Sequence, residues 1–178
     1  MIILVGASAS GKTEVAKQLV MNFGYKKCIT TTTRTPRQGE EDGVSYHFVS
    51  KEEFKKLKMD NAFVESATYQ NEYYGTQKKD LITKGIIILE PNGANALIDY
   101  LKEKALVVLI YSPKRLRKER MIKRGDQLAK IKPRLKKDDR LFAKKNLTKV
   151  DLYLVNKNEP LESLAAKIDN FYQECKTS

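Results

Sequence analysis

An α/β fold with a central parallel sheet is predicted by three features of the chain. Short apolar runs (Met1 to Val5, Ile86 to Leu89, Ala105 to Tyr111 and Leu152 to Val155) alternate with longer segments of helical periodicity, the pattern of strand–helix–strand units. The first run leads directly into Gly6-Ala7-Ser8-Ala9-Ser10-Gly11-Lys12-Thr13, which fits G-x-x-x-x-G-K-[ST], a phosphate-binding loop. Between about 31 and 80 the alternation gives way to shorter strands, so that segment reads as a lobe inserted into one domain. The 178 residues suffice for one compact domain of this kind, a P-loop fold of three layers.

The elements follow in order. Met1 to Val5 is a buried strand by composition. Val15, Ala16, Leu19, Val20 and Phe23 recur at helical spacing up to Gly24, a helix stop. Tyr25 to Thr30 is a short strand, and 31–43 is a polar, Gly- and Pro-punctuated loop. Ser45 to Val49 reads as a strand. Lys51 to Met59 reads as a helix, with Ser50 as N-cap and Glu53 at the capping-box position. Ala62 to Tyr69 alternates as a strand, Asn71 to Thr76 is a turn, and Gln77 to Lys84 is a helix ended by Gly85. Then come a strand at Ile86 to Leu89, a helix at Asn92 to Glu103 and a strand at Ala105 to Tyr111. A basic helix from Lys114 to Arg124 stops at Gly125. Residues 126–140 are strongly polar with Pro133 inside, and a strand at Leu152 to Val155 and an amphipathic helix at Leu161 to Cys175 close the chain.

Composition narrows the function classes. The chain is 41% hydrophobic and 31% charged, a globular balance. Cys28 and Cys175 stand far apart in no metal-ligand spacing, which argues against a disulfide framework or zinc site and fits a reducing cytoplasm. A phosphate loop beginning at Gly6 leaves no room for a signal peptide, and no apolar run is long enough to span a bilayer. The net charge of +12 invites a nucleic-acid reading. Most of the lysines, however, share helices with acids, as in Lys51-Glu52-Glu53, so solvated faces and phosphate-rich small substrates are preferred and nucleic acid is not expected.

The loop carries the first chemistry. Its glycines let the backbone curl so that successive N–H groups from Gly6, Ala7, Ser8, Ala9, Ser10 and Gly11 surround phosphate oxygens. The positive end of the following helix adds to this. Lys12 is expected on the distal phosphates and the Thr13 hydroxyl on Mg²⁺.

The motif Thr32-Thr33-Arg34-Thr35-Pro36-Arg37-x-Gly39-Glu40-x-x-Gly43-x-x-Tyr46-x-Phe48 then follows. Phe63-Val64-Glu65 and Asn71-Glu72-Tyr73-Tyr74-Gly75-Thr76 come after it. Together with the phosphate loop, these resemble the signature of guanylate kinases over nearly the whole chain. The resemblance implies a core (1–30, 81–124 and 141–178), a GMP-binding lobe (31–80) and a lid (125–140). It implies transfer of the terminal phosphoryl group of ATP to GMP with Mg²⁺. By position, Arg34, Arg37, Tyr46 and Tyr74 would hold the GMP phosphate, while Thr30, Glu65 and Thr76 would read guanine. Arg120, Arg124 and Arg134 would close on the phosphates, and Asn156 would lie near the adenine. Where the family strand continues Asp-x-Asp, this chain has Glu90-Pro91-Asn92. Glu90 then falls near Mg²⁺, and Asn92 falls at the guanine amino group or caps the next helix.

The chemistry of the residues agrees. Two guanidiniums suit a phosphate dianion, and one carboxylate can accept from both the N1–H and the amino group of guanine. Arg120 and Arg124 lie four apart on one helical face, whereas Arg115, Arg117, Lys118 and Lys123 read as a solvated basic helix. The alternatives are a kinase for dGMP or another nucleoside monophosphate, or a non-catalytic binding module of the same fold. Both a monomer and a homodimer are compatible with the sequence.

Overall fold

The structure is a computed structural model that describes residues 1–37, 39–69 and 71–177, the side chains of Tyr69 and Thr177 excepted. The core sheet contains β1 (Ile2–Val5), β2 (Lys26–Lys27), β7 (Gly85–Ile88), β8 (Leu106–Tyr111) and β9 (Leu152–Val155). Its strand order is β2-β7-β1-β8-β9 and every pairing is parallel. β1 is central, and its four residues are all buried because both faces of the sheet are covered.

Alternation along the strands divides the core into two layers. Ile2, Leu4, Ile86, Val108, Ile110 and Leu154 pack with Val15, Ala16 and Leu19 of α1 (Lys12–Phe23) and with Leu164, Ala165 and Ile168 of α6 (Leu161–Thr177). Ile3, Val5, Ile87, Val107 and Leu109 face the other way, onto Ala94, Leu97 and Ile98 of α3 (Pro91–Leu101). The three-layer expectation holds. No helix among the described residues is long and apolar enough to cross a membrane.

A second sheet has the order β4-β3-β6-β5 and interrupts the core where the alternation breaks. It consists of β3 (Thr31–Thr32), β4 (His47–Phe48), β5 (Phe63–Tyr69) and β6 (Glu72–Gln77), with α2 (Lys51–Met59) against it. Phe54 of α2 stacks on Phe63 at 4.5 Å between centroids and leans on Tyr73, which gives this sheet a small core of its own. Ser50 and Glu53 form the expected capping box.

Three sequence expectations fail here, each for a physical reason. Glu72 to Gln77 is a strand rather than a turn and helix start, since Tyr73 to Gln77 pair with β3 and β5. The expected helix at Gln77 to Lys84 shrinks to one 3₁₀ turn at Lys78–Asp80. The expected strand at Tyr25 to Thr30 is only Lys26–Lys27, and the chain then crosses to the second sheet through Thr31–Thr32, inside the segment read as a loop.

The polar stretch after Gly125 is ordered as α5 (Leu128–Leu141) despite Pro133 within it. Pro133 lacks the N–H for one helical hydrogen bond, but burial of Ile131 and Leu135 against Met121 of α4 (Lys114–Lys123) compensates.

Candidate functional site

The phosphate loop joins β1 to α1 at the carboxyl end of the core sheet. Gly6 is dictated by crowding, because a Cβ there would lie 2.3 Å from the Ile110 carbonyl oxygen. Gly11 takes φ 105°, and a Cβ there would meet the Asn156 amide at 2.5 Å. Asn156, 2% exposed, braces the loop from below. Its Nδ2 donates to the Ser10 carbonyl at 2.9 Å, and its Oδ1 accepts from Arg120 Nη2 at 3.1 Å.

Arginines surround this loop. Arg120 Nη1 donates to the Ala9 carbonyl at 3.0 Å and Nη2 to Asn158 Oδ1 at 2.8 Å. Arg134 Nε donates to Ser8 Oγ at 2.9 Å. Arg124 forms two bonds to Asp126, at 2.7 and 2.6 Å, and Arg134 Nη1 is 3.7 Å from the same carboxylate. The Arg124 bonds hold the Asp126 carboxyl below the usual carboxylate range against the effect of burial, and the charges of Arg134 and of Arg37 in the second lobe add to this.

Lys12 is folded back onto its own loop, donating to the carbonyls of Gly6 at 2.5 Å and Ala7 at 2.9 Å, with its ammonium 5.6 Å from the Phe142 ring centre. Burial lowers its pKa from 10.5 to about 8; Asp138 works against this, while Arg134, Arg117 and Arg124 reinforce it. The Thr13 side chain is exposed in the first turn of α1.

Opposite the loop, the second sheet gathers the other predicted residues. Arg34 grips Glu40 with Nη2, 2.9 Å from each carboxylate oxygen. Its guanidinium lies 5.4 Å from the Tyr46 ring centre and 5.8 Å from that of Phe48. Tyr46 meets Tyr74 edge to face at 6.4 Å.

Glu65 on β5 accepts from Thr76 Oγ1 on β6 at 2.5 Å. Desolvation raises its carboxyl pKa, opposed by the Thr76 hydrogen bond and reinforced by the nearby charge of Glu90. Gly93 makes room for it, since a Cβ there would sit 3.0 Å from Glu65 Oε2. A cavity of about 600 Å³ lies between Thr13, Ala16 and Lys17 of α1 on one side and Thr30, Arg37, Glu40 and Tyr46 on the other.

The structure thus brings the loop, Lys12, Arg120, Arg134 and Asn156 together on one side, and Arg34, Tyr46, Tyr74, Glu65 and Thr76 together on the other. Glu90 stands with Glu65. As N-cap of α3, its Oε1 accepts from the Gly93 amide at 3.1 Å. Asn92 is exposed in the first turn of α3 and does not cap it.

Arg117 contradicts its assignment to a solvated face. It is 2% exposed, donates to the Ser112 carbonyl at 3.1 Å and pairs with Asp139, while its Nη1 has no hydrogen-bond partner among the described residues. Two other residues were given no role by the sequence, Glu40, named only within the signature, and Asp138. The clue to Asp138 was spacing. It occupies the next inward position after Ile131 and Leu135, where the apolar stripe should continue.

A family model for guanylate kinase matches residues 1–174. The guanylate kinase of Clostridium tetani is 35% identical over 133 residues, which are 71% of this chain and 64% of that protein. The guanylate kinase of Onion yellows phytoplasma is 36% identical over 152 residues, 80% of this chain and 72% of that protein. The matched stretches therefore span roughly two thirds of the length of these relatives. The solved guanylate kinase of Anaplasma phagocytophilum superposes with a TM-score of 0.70 at 22% identity, covering 98% of this chain and 85% of that one.

Proposed function

Because the chain belongs to the guanylate kinase family, we propose that it transfers the γ-phosphoryl group of ATP to GMP, giving ADP and GDP, and takes dGMP as well. The observation that carries this reading is that the fold gathers two complementary groups of side chains, with a cavity reaching from Thr13 to Thr30, Arg37, Glu40 and Tyr46. One is a phosphate loop flanked by Lys12, Arg120 and Arg134, and the other is a lobe that holds Arg34 and the desolvated Glu65.

ATP phosphates take the loop amides, with Lys12 swung outward from the Gly6 and Ala7 carbonyls onto them. The GMP phosphate takes Arg34, Arg37, Tyr46 and Tyr74, and Glu65 accepts from the N1–H and amino group of guanine. Thr30 and Thr76 complete the base pocket, and the Glu90 carboxylate, which the resemblance places near Mg²⁺, stands close enough to Glu65 to raise its pKa, with Asn92 exposed in the first turn of α3. A GMP phosphate oxygen bonds to the γ-phosphorus as the bond from that phosphorus to the β-bridging oxygen breaks, and ADP leaves. Charge spread over the transferring oxygens is met by Lys12, Arg120, Arg124 and Arg134, and no dedicated base is required.

The exposed Thr13 hydroxyl at the first turn of α1 fits a single protein ligand to Mg²⁺, which keeps most of its positions for phosphate and water. No cluster of three or more His, Cys, Asp or Glu suited to a metal exists among the described residues. Bound there, the ion would neutralise β- and γ-phosphate charge. The same reading carries a cytoplasmic setting and lobe boundaries near 31–80 and 125–140.

The test is a coupled ADP-release assay with Mg-ATP against GMP, dGMP, AMP, CMP and UMP. Turnover confined to the guanine nucleotides is expected. Folded protein that binds ATP yet turns over none of the five would overturn the reading.

A further inference from the structure

The phosphate loop already holds an anion from its own chain. The Ser8 amide donates to Asp138 Oδ2 at 2.8 Å, and Asp138 is 5% exposed. Asp138 lies one helical turn beyond Arg134 on α5, and the two side chains grip the same loop residue, one at its amide and one at its hydroxyl. The next residue, Asp139, ties α5 down to α4 through Arg117 and through Lys114 at 2.9 Å. Lys12 meanwhile turns inward, under Phe142 at the end of α5.

A loop of this kind is shaped to present N–H groups to phosphate oxygens. A carboxylate and a phosphate cannot both take the Ser8 amide, and two anions that close repel. We propose that Asp138 is an internal counter-anion of the phosphate loop, a carboxylate that occupies part of the triphosphate site until nucleotide evicts it, and that it thereby sets ATP affinity. Arg134 moves in the opposite sense, since phosphates attract it. Nucleotide arrival therefore re-seats α5 by exchanging the contact that Asp138 makes for one that Arg134 makes. Arg117 and Asp139 keep the helix in reach throughout, so the exchange is a local tilt rather than a release.

The proposal rests on the loop being the ATP site. Calorimetric titrations with ADP, inorganic pyrophosphate and adenosine, all in EDTA so that a metal-binding role is silent, would be run on wild type, Asp138→Asn, Asp138→Ala and Asp139→Ala. Loss of one charge-assisted hydrogen bond from the competing state should tighten ADP about tenfold in Asp138→Ala, equivalent to about 1.4 kcal/mol. Pyrophosphate should tighten by a like factor and adenosine should not change, because the penalty belongs to the phosphate. Asp138→Asn, nearly isosteric, should show a smaller gain in the same direction, and it decides the matter if the alanine variant does not fold. Asp139→Ala should show the least. ADP binding that is unchanged or weaker in both Asp138 variants would overturn the proposal and leave Asp138 as a brace of the loop. Failure of wild type itself to bind ADP or pyrophosphate would instead sink the assignment of the loop.

Discussion

On the phosphate-loop side of the cleft, several of the groups meant for phosphate are already engaged by the chain itself. Lys12 rests on the Gly6 and Ala7 carbonyls, Asn156 on the Ser10 carbonyl, and the Ser8 amide on Asp138. On the lobe side, Arg37 is exposed, and Arg34 holds a partly exposed glutamate beneath two aromatic rings. The first side is held firmly because β1, covered on both faces, fixes one end of the loop and α1, packed on the core sheet, fixes the other. The second is a four-stranded sheet with two two-residue strands, steadied by one aromatic cluster. The difference teaches that recognition costs fall in different places. Binding on the loop side must break internal bonds, whereas binding on the lobe side must mainly order side chains.

The sharpest test of this contrast is Lys12→Ala. Removing the one ammonium inside the loop should lower kcat about a thousandfold, with GMP affinity little changed, because the lobe is built independently. Single-turnover rates and a GMP titration would check both halves. A comparable loss of GMP affinity would break the division between the two sides.

Glu65→Gln comes next. Gln presents an amide where guanine needs an acceptor for two donors, so kcat/KM for GMP should fall about a hundredfold while KM for ATP holds. Equal losses for both substrates would show that Glu65 serves the structure around Gly93 instead.

The order of these effects tracks what was legible in the sequence. The loop, the core strands and the capping box at Ser50 were readable because each is a local pattern whose geometry follows from a few adjacent residues. The residues of the lobe were readable only as a spaced signature, and two of its four strands, β3 and β6, were missed. Tyr73 to Gln77 owe their extended form to partners such as Thr31 and Glu65, distant in the chain. Arg117, Glu40 and Asp138 were not readable as they are. A charged residue in a basic or polar segment looks solvated until the fold supplies its partner, as Asp139 does for Arg117 and Ser8 for Asp138.

A smaller effect separates the two sides by pH. Burial holds the Lys12 ammonium at about 8, so in the free protein it is charged below that pH and neutral above it. Because kcat/KM reports the free enzyme, its value for ATP should fall about tenfold per unit above pH 8, with no matching step in GMP affinity. The stability effect has the opposite sense. Between about 8 and 10.5 the unfolded chain binds the proton that the folded chain has lost, so the Lys12 contribution to stability rises with pH across that window. Lys12→Met should remove that rise, and urea titrations at pH 7.5 and 10 would measure it.

The smallest expected effect asks whether the two sides melt together. In the capping box, Ser50 Oγ accepts from the Glu53 amide at 3.1 Å, and Glu53 Oε2 accepts from the Ser50 amide at 2.7 Å. Ser50→Ala removes half of this reciprocal cap at the solvent-exposed start of α2, and Ser50 is not among the residues assigned to substrate. Tm should drop by about 2–4 °C with both KM values unchanged. The informative quantity is the shape of the transition. α2 touches the lobe through Phe54, Phe63 and Tyr73, and β3 follows β2 after only a short connection. A single transition, shifted as a whole, is therefore expected by far-ultraviolet dichroism and by tyrosine fluorescence alike. Two transitions, with only the earlier one moved by Ser50→Ala, would mean that the lobe unfolds on its own. In that case the lobe itself, beyond the Arg34 and Arg37 side chains, would be what GMP must order.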